Sequence, residues 1–215
     1  MKQCCLLRLF IVLGLFNLLP FTAAHAQHGK SIGRVTALEG KVTVLHQGRF
    51  ASEPLTLQMP VFQEDIIETE RASKVRITLT DATVISLAEQ SRLELRQFSH
   101  DAPQQTRAGR FAISLGVFRA ILKEMIPPSA FEVITPTAVA GIRGTDLMGE
   151  VAPGSTAIVV LEGTIVVSNV RPGITGSATL TPGMGTTVRS DEPPSTPTRW
   201  SESRVETLRR ATTIQ

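Results

Sequence analysis

The side chains best suited to acid–base chemistry in this sequence are the carboxylates Glu64, Asp65 and Glu68, which lie in one short segment. Paired carboxylates can cleave glycosidic bonds when one is held protonated and the other ionised. Adjacent acids at the start of a strand are more often a solvated face, so we expect no catalytic site here. The four histidines form no metal-binding cluster, and both cysteines lie within residues 1–26. Nucleotide-binding glycine patterns and nucleophile elbows are also absent, so we expect a protein that is not an enzyme and uses no metal or cofactor.

The most specific pattern is the segment 135–147, which reads TPTAVAGIRGTDL. Pro136 offers no backbone donor to a β-ladder and forces Thr135 into an extended conformation. Gly141 and Gly144 permit backbone conformations that are closed to other residues. The candidate site residues taken from this segment are Thr135, Pro136, Gly141, Arg143, Gly144 and Thr145.

Arg143 lies between the two glycines and presents five donors from a rigid planar group. The favoured interpretation is structural, because an arginine in a turn flanked by glycines commonly satisfies backbone carbonyl oxygens that would otherwise lack partners. We therefore expect a buried or half-buried guanidinium that bonds carbonyls of neighbouring turns. The alternative is recognition of an anion or of a carboxylate on a partner protein.

The elements that must position this segment are strands. From Ile32 onward, apolar and polar residues alternate with period two, and β-branched residues dominate the alternating runs. Glycine, proline and aspartate separate these runs, which is typical of an all-β domain with many short strands.

A weak internal repeat accompanies the strands. Residues 38–44 (LEGKVTV) are echoed by residues 161–167 (LEGTIVV), and residues 115–118 (LGVF) are a poorer third copy. Each copy places a glycine where the backbone must turn or approach a neighbour closely. The spacing of the copies is unequal, so the repeat does not predict a strictly periodic solenoid. A β-solenoid-like single domain with coils of unequal length is compatible with it, and so is the alternative, a β-sandwich.

Residues 1–26 are predicted to be a cleavable export signal. Lys2 and Arg8 precede a 13-residue, mostly apolar run, Leu9–Phe21, which is too short to span a membrane. Ala24 and Ala26 then fit a cleavage site, so the mature chain should start near Gln27 in the periplasm or outside the cell, with no transmembrane helix. Removal of residues 1–26 lowers the net charge from +3 to +1. A charge this close to neutral argues against a nucleic-acid partner.

The chain changes character near its C-terminus. The predicted β domain extends over residues 30–189, and residues 190–215 begin with a proline-rich linker. Beyond the linker, Trp200 to Ala211 suit a short helix with Ser201 as its N-cap. Such a helix is marginal alone, so the tail either docks on the domain or frays.

The order of motifs resembles the FecR domain family over roughly Ile32 to Val188. Residues 142–145 (IRGT) are similar to the family's most specific motif, Val-Arg-Gly-Thr, and residues 131–136 (FEVITP) precede it in the family's order. Two departures are Glu64 and Ala82, which stand where the family usually has glycine. An alanine with positive φ is costly, so we expect the hairpin at Asp81–Ala82 to use a turn other than the two-residue primed type.

The resemblance implies an exported, β-rich module that contacts an envelope protein partner. Family regulators carry a cytoplasmic anti-sigma segment and a transmembrane helix before this domain, whereas this sequence carries the predicted export signal there. We therefore expect a non-catalytic protein that binds a protein or ligand in the cell envelope, in sensing or signalling. A structural module of a surface or cell-wall assembly is the alternative, and a polysaccharide-active enzyme is a distant third. The sequence does not indicate the oligomeric state.

Overall fold

Strands dominate the chain, as the period-two patterning predicts. The computed structural model describes residues 29–104, 106–122 and 130–214, so the predicted export signal lies outside the described residues. In chain order the strands are β1 (Gly33–Glu39), β2 (Val42–Leu45), β3 (Glu53–Pro54), β4 (Pro60–Val61), β5 (Ile66–Thr69), β6 (Lys74–Leu79), β7 (Val84–Leu87), β8 (Arg92–Asp101), β9 (Thr106–Ile121), β10 (Ala130–Ile134), β11 (Ala138–Ala152), β12 (Ser155–Asn169), β13 (Ser177–Leu180), β14 (Met184–Arg189) and β15 (Thr198–Arg199). A single helix, α1 (Glu202–Thr212), follows them in the described part of the chain, and the all-β prediction is confirmed.

The strands form one hydrogen-bonded sheet with two branches. The first branch runs β4–β1–β6–β7 and continues through the end of β9 to β11, the start of β12, β14 and β15. The second branch runs β3–β2–β5–β8 and continues through the start of β9 to β10, the start of β11, the end of β12 and β13. The long strands β9, β11 and β12 therefore belong to both branches.

Both branches bury their inward faces in one hydrophobic core. Ile77 and Phe118 of the first branch and Leu93 and Phe111 of the second are at most 1% exposed and belong to the same cluster. Burial of such large side chains is the main favourable contribution to folding. The alternation of buried and exposed residues along the strands is the one that the sequence predicts.

The three glycines of the internal repeat lie where strands change partners. β1 and β2 flank Gly40 and pair with different strands, β9 changes from β8 to β7 at Gly116, and β12 changes from β14 to β13 after Gly163. All three glycines have positive φ. A side chain at Gly40 would come within 2.7 Å of Ala72 O, and one at Gly116 within 2.6 Å of Ser91 Cα. The repeat therefore marks corners that only glycine fits.

The two departures from the family pattern both fall on left-handed backbone. Glu64 and Ala82 each have φ of 67°. In the β6–β7 hairpin, Ala82 N donates to Leu79 O at 3.0 Å and Leu79 N donates to Thr83 O at 2.8 Å. These bonds define a three-residue loop, so the expected departure from a two-residue primed turn is correct. The last residue of this loop, Ala82, nevertheless has positive φ, and this conformation costs an alanine conformational free energy.

We expect Ala82→Gly to raise the free energy of unfolding by about 0.5–1 kcal/mol. Relief of the left-handed conformation outweighs the extra chain entropy that glycine loses on folding. Ala112 lies within β9 and is the matched control, because Ala112→Gly should lower the free energy of unfolding by about 0.5–1 kcal/mol. Urea titration of the three proteins measures both changes, and a lower midpoint for Ala82→Gly would contradict the prediction.

The C-terminal tail docks on the domain as a helix. Ser201 is the N-cap of α1, as predicted, and its hydroxyl accepts a hydrogen bond from Arg204 N.

Hydrogen bonding to Arg210 lowers the pKa of Glu206, with Arg209 adding to the effect. Because the lowered pKa belongs to the folded state, this contact contributes at neutral pH and is lost as the pH falls through that lowered value.

Candidate functional site

The Thr135-Pro136-Thr137 sequence forms the turn between β10 and β11. The Thr135 hydroxyl accepts hydrogen bonds from Ala138 N at 2.9 Å and lies 2.7 Å from the hydroxyl of Thr156. Thr137 donates to the same Thr156 hydroxyl at 2.7 Å. All three threonines are buried, so this part of the motif locks the start of β11 against β12. Pro136 lies at the exposed tip of the turn.

The two glycines of the motif differ from each other, and one of them differs from the expectation. Gly144 has φ of 57° and coincides with a register shift between β11 and β12, as its predicted conformational role requires. Gly141 does not have positive φ, and a side chain there would meet only Val166 O, at 3.9 Å. The expectation that Gly141 needs a conformation closed to other residues is therefore wrong.

Thr145 occupies the third glycine corner. At the first two corners a serine hydroxyl accepts the hydrogen bond of the residue after glycine, Lys41 N to Ser73 at 2.8 Å and Val117 N to Ser91 at 3.1 Å. Thr145 packs against Gly163 in the corresponding place, but its buried hydroxyl has no partner among the described residues. At this corner, packing of Thr145 against Gly163 therefore takes the place of the hydrogen bond that serine makes at the other two corners.

Arg143 is exposed, and its side chain makes no hydrogen bond or ion pair with any residue that the structure describes. The predicted bonds to carbonyls of neighbouring turns are not formed there. The reason lies in the alternation of β11, which turns Ala140 and Ile142 into the core and Gly141 and Arg143 outward. This position favours the alternative interpretation, in which the guanidinium recognises a group outside the chain.

The outer face of the second branch surrounds Arg143. We call it the Arg143 face, and the register places the following residues on it: Glu132, Ile134, Val139, Gly141, Arg143, Thr164, Val166 and Ser168. Val166 is 48% exposed, although valine is a residue that proteins commonly bury. A groove of about 330 Å³ borders this face beside Ile134 and Pro136.

The other cations of this part of the sheet are paired. Arg110 Nε lies 2.9 Å from Glu132 Oε2, Arg96 Nε lies 2.9 Å from Glu94 Oε2, and Arg92 contacts Glu68. Exposed pairs of this kind contribute little to stability, but they neutralise each other's charge. Within the described part of this surface, Arg143 is thereby the cation left to attract a carboxylate or another anion.

An ion pair that sequence reasoning missed lies beside the motif. Arg119 donates to both carboxylate oxygens of Asp146, at 2.9 and 2.6 Å, and Asp146 is 8% exposed. The hydrogen bond to Asp146 raises the pKa of Arg119 above its ordinary value, although partial burial acts in the opposite direction. Asp146 belongs to the segment 135–147 and directly follows Thr145, which is a signal in the sequence, but nothing in the sequence indicates Arg119 as its partner.

The three acids considered for catalysis are used separately. Asp65 is buried, accepts a hydrogen bond from Phe62 N at 2.8 Å and lies 2.7 Å from His46 Nδ1, whose Nε2 is 3.1 Å from Glu53. Glu64 is exposed, and Glu68 pairs with Arg92. Buried Asp65 faces its own turn, so these acids present no shared pocket for a glycoside.

Within residues 29–104, 106–122 and 130–214, no group of three histidine, cysteine or acidic side chains could hold a metal ion. No helix in the described part of the chain has the length and apolar character needed to cross a membrane.

Comparison with known proteins shows that the motif around Arg143 lies in a segment that matches a protein-family model. Residues 65–166, which include Arg143, match a family model described as FecR protein, and the resemblance is confirmed over this span. No curated protein matches the chain. Two crystal structures of a protein from Parabacteroides distasonis, proposed to be an anti-sigma factor, superpose with TM-scores of 0.51 and 0.52 at 15% identity. The match covers 66% of this chain and 62% of that one, so it spans less than two thirds of the Parabacteroides protein and shows a shared fold.

Proposed function

We propose that this chain, whose residues 65–166 match the FecR family model, is an exported, non-catalytic protein that binds a protein partner or ligand in the cell envelope. The observation that carries this proposal is the exposed Arg143, which has no partner among the described residues at the centre of the family's most specific motif. The fold shared with a protein proposed to be an anti-sigma factor supports a role in signalling or sensing.

The chemistry of the Arg143 face suits protein recognition. Arginine is the cation best adapted to a carboxylate, because its planar fork can donate two parallel hydrogen bonds. Val139 and Val166 supply apolar contact on either side of Gly141. Arginine is enriched at the energetic centre of protein interfaces, and the neighbouring apolar surface can exclude water around it.

Arg143→Ala should leave the free energy of unfolding within about 0.5 kcal/mol of wild type, because the side chain is exposed and forms no hydrogen bond or ion pair with a described residue. We expect the variant to lose recovery of its partner from envelope extract, by about 2 kcal/mol or ~30-fold in affinity. Arg110→Ala is the matched control, since Arg110 is equally a surface arginine but is paired with Glu132. A lower unfolding midpoint, with binding lost only in proportion to the unfolded fraction, would restore the structural interpretation.

The identity of the recovered partner separates the two classes of function. An outer-membrane receptor or a regulator would support sensing. Recovery of matrix or cell-wall components would support the structural alternative.

Export is tested independently by the N-terminus of the protein recovered from the envelope or medium. The apolar run and the Ala24–Ala26 pair predict processing after Ala26, so mass spectrometry should find Gln27 as the first residue. Membrane-bound protein that retains Met1 would show that the segment is an anchor instead.

A further inference from the structure

The outer face of the first branch is apolar, and the C-terminal tail covers it. Met148 and Val159 on β11 and β12 are fully buried there, together with Ala157. Trp200, Val205 and Leu208 of the tail pack on them, and Val117 and Leu161 extend the contact. Because strand residues alternate between faces, this cluster is separate from the main core.

The seat of Trp200 is built into the sheet. Gly185 lies directly beneath the indole, and a side chain at this position would collide with the ring and come within 2.8 Å of Ile158 O. Trp200 N donates to Gly183 O at 3.1 Å, and the guanidinium of Arg204 lies over the ring with its Cζ 3.5 Å from the ring centre. The seat therefore accepts a flat aromatic side chain.

The opposite end of the face receives the end of the helix. Lys74 Nζ, which belongs to β6, donates to Arg210 O at 3.1 Å and to Thr213 O at 2.8 Å. The last carbonyl oxygens of a helix lack partners within the helix and carry partial negative charge. Lys74 thus binds the carbonyl oxygens at the C-terminus of the helix.

The helix itself is a self-contained unit. Its cap is Ser201, and Glu206 pairs with Arg209 at 3.1 Å and Arg210 at 2.9 Å, both within the helix. Among the described residues, its charged side chains form no ion pair with the sheet. The helix is therefore attached by apolar anchors and by Lys74, and it follows β15, which pairs with β14 and is joined to it by a proline-containing segment.

We propose that this face is a docking site for an amphipathic helix of a partner protein, and that α1 is its resident occupant, displaced when the partner binds. The partner helix presents an aromatic residue to the Gly185 seat, leucine or methionine to Met148 and Val159, and its C-terminal carbonyl oxygens to Lys74. Laying one apolar helix face into a groove is a common mode of recognition. Because α1 is tethered to the sheet, its effective concentration at this face is high, and it competes with the partner helix for the site. The helix α1 therefore acts as a cover of the docking site. The site is distinct from the Arg143 face and stands whether or not that face binds a partner.

The experiment uses the full chain and a labelled synthetic peptide of residues 199–214 with Trp200→Phe. Because Trp200 is the one tryptophan in the sequence, its emission reports whether the tail is seated. Leu208→Asp should release α1 while leaving the groove intact, so we expect red-shifted emission and at least ~10-fold tighter peptide binding than by the wild-type chain. Thr207→Asp, at an exposed position on the same helix, should resemble wild type in both measurements. A peptide that itself carries Leu208→Asp should bind neither protein.

A folded Leu208→Asp chain that does not bind the peptide would overturn the proposal. Should that variant fail to fold, hydrogen exchange of the wild-type chain decides. We expect the amides of α1 to exchange at least ~10-fold faster than those at the centres of β11 and β12, because the helix opens without the sheet. Exchange of α1 at the same rate as the sheet would show that it leaves only on global unfolding, and that it is not a displaceable cover.

Discussion

Gly163→Ala is expected to lower the free energy of unfolding by about 2–5 kcal/mol. Gly163 has φ of 83°, and left-handed backbone alone costs an alanine about 1–2 kcal/mol. The added methyl group would also lie 3.1 Å from Thr145 Cα and closer still to Gly144 O, and forcing atoms into a packed site costs about 1–3 kcal/mol. Because these atoms are backbone, they cannot move aside as the end of a flexible side chain can.

Two other glycines separate these contributions. Gly48 has φ of 73° with nothing within 4 Å of the added methyl group, so Gly48→Ala should cost only the conformational part, about 1–2 kcal/mol. Gly141 has neither positive φ nor a close neighbour, so Gly141→Ala should change the free energy of unfolding by less than about 1 kcal/mol in either direction. Denaturant titrations of the three variants should therefore give a graded series. Equal losses at Gly163 and Gly48 would show that the corner at β11 has room to relax.

Arg119→Ala should lower the free energy of unfolding by about 2–4 kcal/mol. The substitution leaves the nearly buried carboxylate of Asp146 without its two donors, and breaking a buried ion pair costs about 3–5 kcal/mol. We expect somewhat less because the Arg119 side chain is 25% exposed. Because the raised pKa of Arg119 belongs to the folded state, the charge of Arg119 contributes fully at neutral pH, and its contribution is lost as the pH rises through that value, far into the alkaline range.

The control for this prediction is Arg92→Ala, which breaks a pair with Glu68 whose side chains are 45% and 44% exposed. Exposed pairs contribute about 0–1 kcal/mol, so thermal unfolding should distinguish the two variants clearly. The double substitution of Arg119→Met with Asp146→Leu should recover much of the loss, since no charge is then left buried. Failure of the double variant to recover stability would mean that packing around Arg119, and not its charge, stabilises the sheet.

The sequence predicts those features that follow from local rules. Period-two alternation indicates the strands, and the repeated glycines indicate the corners, because positive φ and close backbone approach are properties of single positions. Ser201 and the residues after it likewise carry a local signal for α1.

The features that sequence reasoning missed depend on which faces and strands meet. The outward position of Arg143 follows from the register of β11, and a shift of one residue would have buried it. Arg119 and Asp146 are 27 residues apart and meet only because Ile121 of β9 pairs with Asp146 of β11. No spacing rule within a single sequence gives that register.

The strands β9, β11 and β12 belong to both branches of the sheet. This connection affects which segment of the chain can fold on its own. The family match covers residues 65–166 and omits β1 and β2, which pair with β6 and β5. A fragment with these limits would end within β12 and would leave β5 and β6 without their partners β2 and β1, next to Ile67 and Ile77, which the whole chain buries completely. Such edges promote association between chains, so the matched segment should aggregate when expressed alone.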